Sequence, residues 1–121
     1  MGKKQILVID DEVDFVDAVR MRLEPNGYDV IAAHNGQDGM DMARSESPSL
    51  ILMDLAMPSV NGFEALSRLR SDPRTSRLPI IVVTAMNDIE YAFDAGKLGA
   101  TDFIVKPVSM ESLLEMIRKY A

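Results

Sequence analysis

Asp10-Asp11, Asp54, Thr84 and Lys106 each stand at the end of a short apolar run: Ile6 to Ile9, Leu50 to Met53, Ile80 to Val83, and Phe103 to Val105. Three carboxylates, a hydroxyl and an ammonium are groups that hold a divalent metal and handle a phosphoryl group, provided the fold gathers them. Two carboxylates about 5 Å apart repel by about 3 kcal/mol at an effective dielectric constant of about 20, and a third adds to this. Something cationic must therefore join them. Mg²⁺ fits best, with Mn²⁺ as a substitute, because it accepts a few carboxylates, keeps waters and bridges to phosphate oxygens. Lys106 supplies a second, fixed positive charge.

The elements that would position these groups are legible as alternating patterns. Val-, Ile- and Leu-rich runs of this length, separated by helical periodicity, read as strands of a parallel sheet buried on both faces. Val13, Val16, Val19 or Arg20, and Leu23 follow helical spacing until Pro25-Asn26-Gly27 stops the first helix, with Glu12 and Asp14 in its acidic first turn, from which Glu12 could also approach a metal through water. Asp29 to Ala33 is a weaker second strand, and Asn35 with Asp38 caps a helix running to about Arg44. Asn61-Gly62-Phe63-Glu64 opens a third helix that Asp72-Pro73 ends, and Asn87 with Glu90 opens a fourth. Ser109 caps a fifth, in which Met110, Leu113, Leu114 and Ile117 share one face. Five such βα units with right-handed crossovers predict a doubly wound, flavodoxin-like five-stranded parallel sheet in the order 2-1-3-4-5. Strands 1 and 3 are then neighbours where the winding reverses, so Asp10, Asp11 and Asp54 face one crevice.

Composition agrees with one domain over residues 1–121, long enough for one sizeable core and too short for two. No apolar stretch approaches the roughly 20 residues that span a bilayer, and no signal-peptide pattern opens the chain, so a cytoplasmic location is expected. The absence of Cys excludes disulfides and thiolate chemistry, and a single His34, expected to be exposed on a polar turn, excludes His-rich metal sites. The net charge of -6 argues against direct binding to nucleic acid or to an anionic membrane. The nine Met read mostly as core filler.

Taken in order, Asp10-Asp11, Asp54-Leu55-Ala56-Met57-Pro58 with Asn61-Gly62-Phe63, Thr84-Ala85, Gly99-Ala100 and Lys106-Pro107 resemble the receiver domain of two-component response regulators. The resemblance covers the whole chain. It implies that Asp54 is the phosphoacceptor, taking a phosphoryl group from the phosphohistidine of a sensor histidine kinase or phosphotransfer protein, in a domain that promotes its own phosphorylation and dephosphorylation. It further implies Mg²⁺ on Asp10, Asp11, Asp54 and the main-chain carbonyl of Ala56, with Thr84 and Lys106 contacting the phosphoryl oxygens. Lys106-Pro107 is then a cis peptide, and Phe103 the aromatic whose rotamer follows phosphorylation. Output passes to a further domain or partner protein through the fourth helix, fifth strand and fifth helix, as a monomer or a phosphorylation-dependent homodimer.

Each residue also has a plainer reading. Singly, Asp10 and Asp11 are common turn or cap formers, Thr84 a strand-end hydroxyl, Lys106 a solvated charge and Phe103 a half-buried core aromatic; it is their joint register that favours a site. A receiver-like scaffold that works without phosphorylation would lack site residues, and none is missing here. A metal-dependent phosphatase with an Asp nucleophile after strand 1 would want a second Asp where Glu12 stands. Ala56 and Met86 occupy positions that tune acyl-phosphate lifetime in the family, and neither side chain can orient a water, so hydrolysis should be slow. Lys97, Asp102 and Arg118 only partly reproduce the charge pairs of the winged-helix subgroup. Ile89, Tyr91, Ala92, Phe93, Ala95 and Leu98 surround more than one side of the fourth helix, so some should be exposed, and Gly96 costs that helix about 1 kcal/mol relative to Ala.

Overall fold

The computed structural model describes residues 2–55, 62–85 and 88–121, at Ile89 the backbone only. Strands β1 (Lys4–Ile9), β2 (Tyr28–Ala33), β3 (Leu50–Asp54), β4 (Ile80–Ala85) and β5 (Asp102–Lys106) alternate with helices α1 (Val13–Leu23), α2 (Gly36–Glu46), α3 (Gly62–Ser71), α4 (Ile89–Lys97) and α5 (Met110–Tyr120). All strand pairs are parallel and the order is β2-β1-β3-β4-β5, the doubly wound topology expected.

Burial on both faces explains why the inner strands β1, β3 and β4 are apolar at nearly every position, whereas the edge strands β2 and β5 are only partly buried because each has a neighbour on one side alone. In β1, Ile6 and Val8 join Leu50, Leu52 and Ile81 beneath Val16, Val19 and Leu23 of α1 and Leu113, Leu114 and Ile117 of α5. Their neighbours Leu7 and Ile9 point the other way, joining Ile51, Met53, Ile80 and Val82 under Met40 and Ala43 of α2, Leu66 and Leu69 of α3, and Ala95 of α4. Each such side chain contributes about 1.5 to 3 kcal/mol of hydrophobic stabilisation when fully buried. The strands are thus held in register from both sides, which makes their ends a rigid platform.

Local signals end and begin the helices. Asn35 Oδ1 accepts the Asp38 N–H at 2.8 Å, and Ser109 Oγ accepts that of Ser112 at 3.3 Å. After α1 a 3-10 turn over Glu24–Asn26 leads to Gly27 at φ 93°, in the left-handed region that glycine enters without strain. Helix α2 runs to Glu46, two residues past the expected end, and stops at Ser47 (φ 48°). Pro48 disfavours right-handed helical geometry in the residue before it, so the chain turns there and no earlier. Asn61 and Asn87, the expected caps of α3 and α4, lie outside the described residues. Arg70 at the end of α3 donates to Gly99 O at 2.8 Å and Leu78 O at 2.7 Å, tying the α4–β5 turn to the loop before β4.

Candidate functional site

Successive strands meet with their polar ends nearly level. Ile9 pairs with Met53, so Asp10 follows β1 beside Asp54; Asp54 pairs with Val83, one residue before Thr84; and Ala85 pairs with Lys106. Asp10, Asp54 and Thr84 are buried, whereas Asp11 is exposed. Carboxylate oxygens of Asp10, Asp11 and Asp54 all lie within 4.8 Å of one another. This is a hard, oxygen-only donor set, and it suits Mg²⁺ or Mn²⁺.

Burial and a neighbouring carboxylate both act against the charge on Asp10, which favours a cation beside it. Burial raises the Asp10 carboxyl above its ordinary range; the Glu12 N–H, donating to Oδ1 at 2.8 Å, opposes this, the Asp54 charge reinforces it and Lys106 opposes it. Lys106 answers the demand in part. Its Nζ lies 2.7 Å from Glu12 Oε1, 3.2 Å from Asp10 Oδ2 and 3.9 Å from Asp54 Oδ2. Burial alone would lower its pKa, but the Glu12 hydrogen bond and the charges of Asp10 and Asp54 outweigh it, so the ammonium is held more firmly protonated than usual. The ring of Phe15 lies under the same ammonium, 4.6 Å from centroid to Nζ.

Thr84 and Phe103 connect the crevice to α4. Thr84 Oγ1 donates to the carbonyl of Asp88, the residue before α4, at 3.2 Å. Phe103 is half-buried on β5, its ring 6.5 Å from that of Phe93 on α4. Phe63 at the start of α3 meets Tyr91 of α4 edge to face at 5.6 Å. On α4, Ala92 and Ala95 are buried while Tyr91 and Phe93, and Leu98 just after the helix, stay exposed, as the wrap of apolar residues predicts. The Lys106–Pro107 peptide is cis. Ala56 and Met86 lie outside the described residues.

Several contacts around the site are not legible in the sequence. Glu12 precedes α1 and reaches Lys106, a contact across 94 residues that periodicity does not reveal. No motif of the sequence singles out Phe15. Asp102 accepts the Tyr120 hydroxyl at 2.7 Å and Arg118 donates to Asn26 at 3.2 Å, so two of the three suspected interface charges are engaged within the chain. Met21 is exposed, unlike the buried Met40 and Met53. His34 is exposed, with Nδ1 3.3 Å from Asp10 O. A concavity of about 750 Å³ lies between α2 and α3 around Met40, Arg44, Leu69 and Asp72 and contains none of the site residues. Donor chemistry, rather than cavity size, marks the site.

Among the described residues no helix is long and apolar enough to cross a membrane. The family model described as response regulator receiver domain matches residues 6–118. Protein PilH of Pseudomonas aeruginosa is 39% identical over 113 residues, covering 93% of each chain. RpaA of Synechocystis, a DNA-binding dual master transcriptional regulator, is 39% identical over 114 residues; the match covers 94% of this chain but only 47% of that relative. The chemotaxis response regulator CheY4 of Vibrio cholerae is similar in structure with a TM-score of 0.91 at 27% identity, covering 99% of this chain and 100% of that one. A response regulator receiver protein from Pseudomonas putida gives 0.89 at 30% identity, covering 98% of each.

Proposed function

The chain belongs to the response regulator receiver domain family, and on that premise we propose that it is a phosphorylation-activated switch, with residues 1–121 forming one receiver domain and Asp54 as phosphoacceptor. The observation that carries the reading is the meeting of Asp10, Asp11 and Asp54 with the Lys106 ammonium 3.9 Å from Asp54 Oδ2. An Asp54 oxygen attacks the phosphorus of a phosphohistidine on a sensor kinase or phosphotransfer protein. The P–N bond breaks, the imidazole leaves with the electron pair and takes up a proton, and Asp54 becomes an acyl phosphate. The short side chain at the end of a strand packed on both faces aims its oxygen along one line, which favours in-line transfer. Asp10, Asp11, Asp54 and the Ala56 carbonyl would hold Mg²⁺, which when bound neutralises charge on the phosphoryl oxygens. Lys106 supplies the second positive contact to those oxygens.

Signalling follows from the Thr84 hydroxyl. When it turns from the Asp88 carbonyl to a phosphoryl oxygen, it frees the start of α4 and opens space beside β5, into which Phe103 rotates. The α4–β5–α5 face, with exposed Tyr91, Phe93 and Leu98, then presents a different surface to an output domain or partner protein. A cytoplasmic location, no direct contact with DNA or membrane, and a monomer or phosphorylation-dependent dimer complete the reading. A phosphorylation-independent scaffold is the second reading, and the full set of site residues disfavours it.

Acetyl phosphate or phosphoramidate with Mg²⁺ should place a base-labile phosphate on Asp54, found by mass spectrometry. Label on another residue, or label that persists in EDTA or in Asp54→Asn, would sink the assignment. The same label reports the lifetime: with Ala56→Asn and Met86→Glu combined, decay should quicken about 10-fold if an oriented water is worth about 1.4 kcal/mol. Unchanged decay rejects that role.

Amide hydrogen exchange with and without beryllofluoride and Mg²⁺ tests the output surface. Protection should change in α4 and β5 as well as at the site. Changes confined to the ends of β1 and β3 would reject the proposed surface.

A further inference from the structure

Lys106 has to reach a phosphoryl group on Asp54, yet its ammonium sits nearer to Glu12 and Asp10 than to Asp54: 2.7 and 3.2 Å against 3.9 Å. Glu12 and Phe15 are three residues apart, at and just inside the start of α1, and both face this ammonium from one side. Phe15 packs against the β1-centred core cluster, so its ring is fixed by its neighbours. Glu12 is held differently, with a side chain 61% exposed and able to swing into water.

The two contacts differ in what they ask of the ammonium. A carboxylate takes an N–H hydrogen bond and so competes directly with phosphoryl oxygens for the same protons. An aromatic face attracts the cation through its quadrupole, within about 6 Å of the centroid, without accepting a directed N–H bond. From the first contact Lys106 must be released when a phosphoryl group arrives. With the second it can remain while its N–H groups turn to the new oxygens.

We propose that Glu12 and Phe15 are positioning residues for Lys106: Phe15 is the platform that keeps the ammonium over the crevice in both states, and Glu12 is a restraint that holds it outward until phosphoryl oxygens displace it. This rests on the phosphoacceptor reading only for the second state. The placement of the ammonium in the first state stands on the distances alone.

The test uses the whole chain labelled with ¹³C at the lysine ε carbons. In metal-free protein the Lys106 ε resonance should be shifted upfield by the Phe15 ring current. Phe15→Tyr keeps a ring and should keep the shift, while Phe15→Leu keeps apolar bulk and should lose it. Beryllofluoride titrated with saturating Mg²⁺ and followed on the same resonance should bind a few-fold more weakly to Phe15→Leu, because an ammonium freed from the ring must be ordered over the crevice when the ligand arrives. It should bind a few-fold more tightly to the surface variant Glu12→Gln, whose fold is not at risk. A Lys106 resonance unchanged in Phe15→Leu, or lost equally in Phe15→Tyr, overturns the platform. Equal or weaker beryllofluoride binding by Glu12→Gln overturns the restraint. The metal-free resonance pattern needs no phosphorylation, so its presence in a protein that takes no label on Asp54 would support the positioning and strike the phosphoacceptor reading alone.

Discussion

Asp10→Asn is expected to make the metal-free protein more stable while removing most of its Mg²⁺ affinity. Asp10 is 1% exposed, and its carboxylate oxygen lies within 4.8 Å of those of Asp11 and Asp54. At that distance two unit charges repel by about 3 kcal/mol at an effective dielectric constant of about 20, and Lys106 at 3.2 Å offsets part of this. Asn has the same shape and can still accept the Glu12 N–H through Oδ1. What it removes is the buried charge, and a net gain of about 1 kcal/mol, or about 4 °C in the unfolding midpoint, follows. The sign with pH is fixed by the direction of the shift. Because the folded-state pKa of Asp10 is raised, mainly by burial, its contribution to stability is present below the unfolded-state value and is lost as pH rises through the folded-state value. Wild type in EDTA should therefore gain on Asp10→Asn as pH falls through that window. Mg²⁺ should reverse the ranking at neutral pH, since a ligand that binds only the folded state stabilises it, and the variant has lost a carboxylate and more than about tenfold in affinity. Calorimetric unfolding of both proteins in EDTA and in Mg²⁺ measures all of this. A variant less stable than wild type in EDTA would show that the Lys106 contact, and not repulsion, dominates.

Gly62→Ala is expected to cost about 2 to 3 kcal/mol, while the same change at Gly96 should stabilise by up to about 1 kcal/mol. A Cβ on Gly62 would lie 2.6 Å from Leu55 Cα and 2.9 Å from Asp54 O, and both are backbone atoms that cannot step aside. Helix α3 would have to lift from the end of β3 and break the hydrogen bond from Gly62 N to Leu55 O, 3.1 Å long. At Gly96, on the exposed side of α4, a Cβ meets nothing within 4 Å, so only the helix propensity of Ala remains. Denaturant unfolding of the two variants separates packing from propensity. Because the carbonyl next to the clash belongs to Asp54, Gly62→Ala should also slow labelling by acetyl phosphate. Equal stability of Gly62→Ala and wild type would mean that α3 docks more loosely than these contacts require.

The five strands and their order were legible because an apolar run of three or four residues between helical patterns has few ways to hide its faces outside a sheet. Asn35 and Ser109 were legible as caps, since their side chains act on the N–H three residues along. Asp10, Asp54, Thr84 and Lys106 stood out because polar residues closing buried strands must emerge at one edge. Which face each strand residue joins was not legible: Ile6 and Leu7 are chemically alike and lie on opposite sides of the sheet.

What depended on the tertiary structure is the detail around the ammonium. Glu12, Phe15 and Asp10 converge on Lys106 from the other end of the chain, and their distances depend on how α1 packs across β1 and how far β5 extends beside β4. Local pattern follows from the chemistry of neighbouring residues and survives in a linear string. A contact between residues 12 and 106 exists only once two helical layers have closed on the sheet, because side-chain reach of a few ångströms is set by packing and not by spacing along the chain.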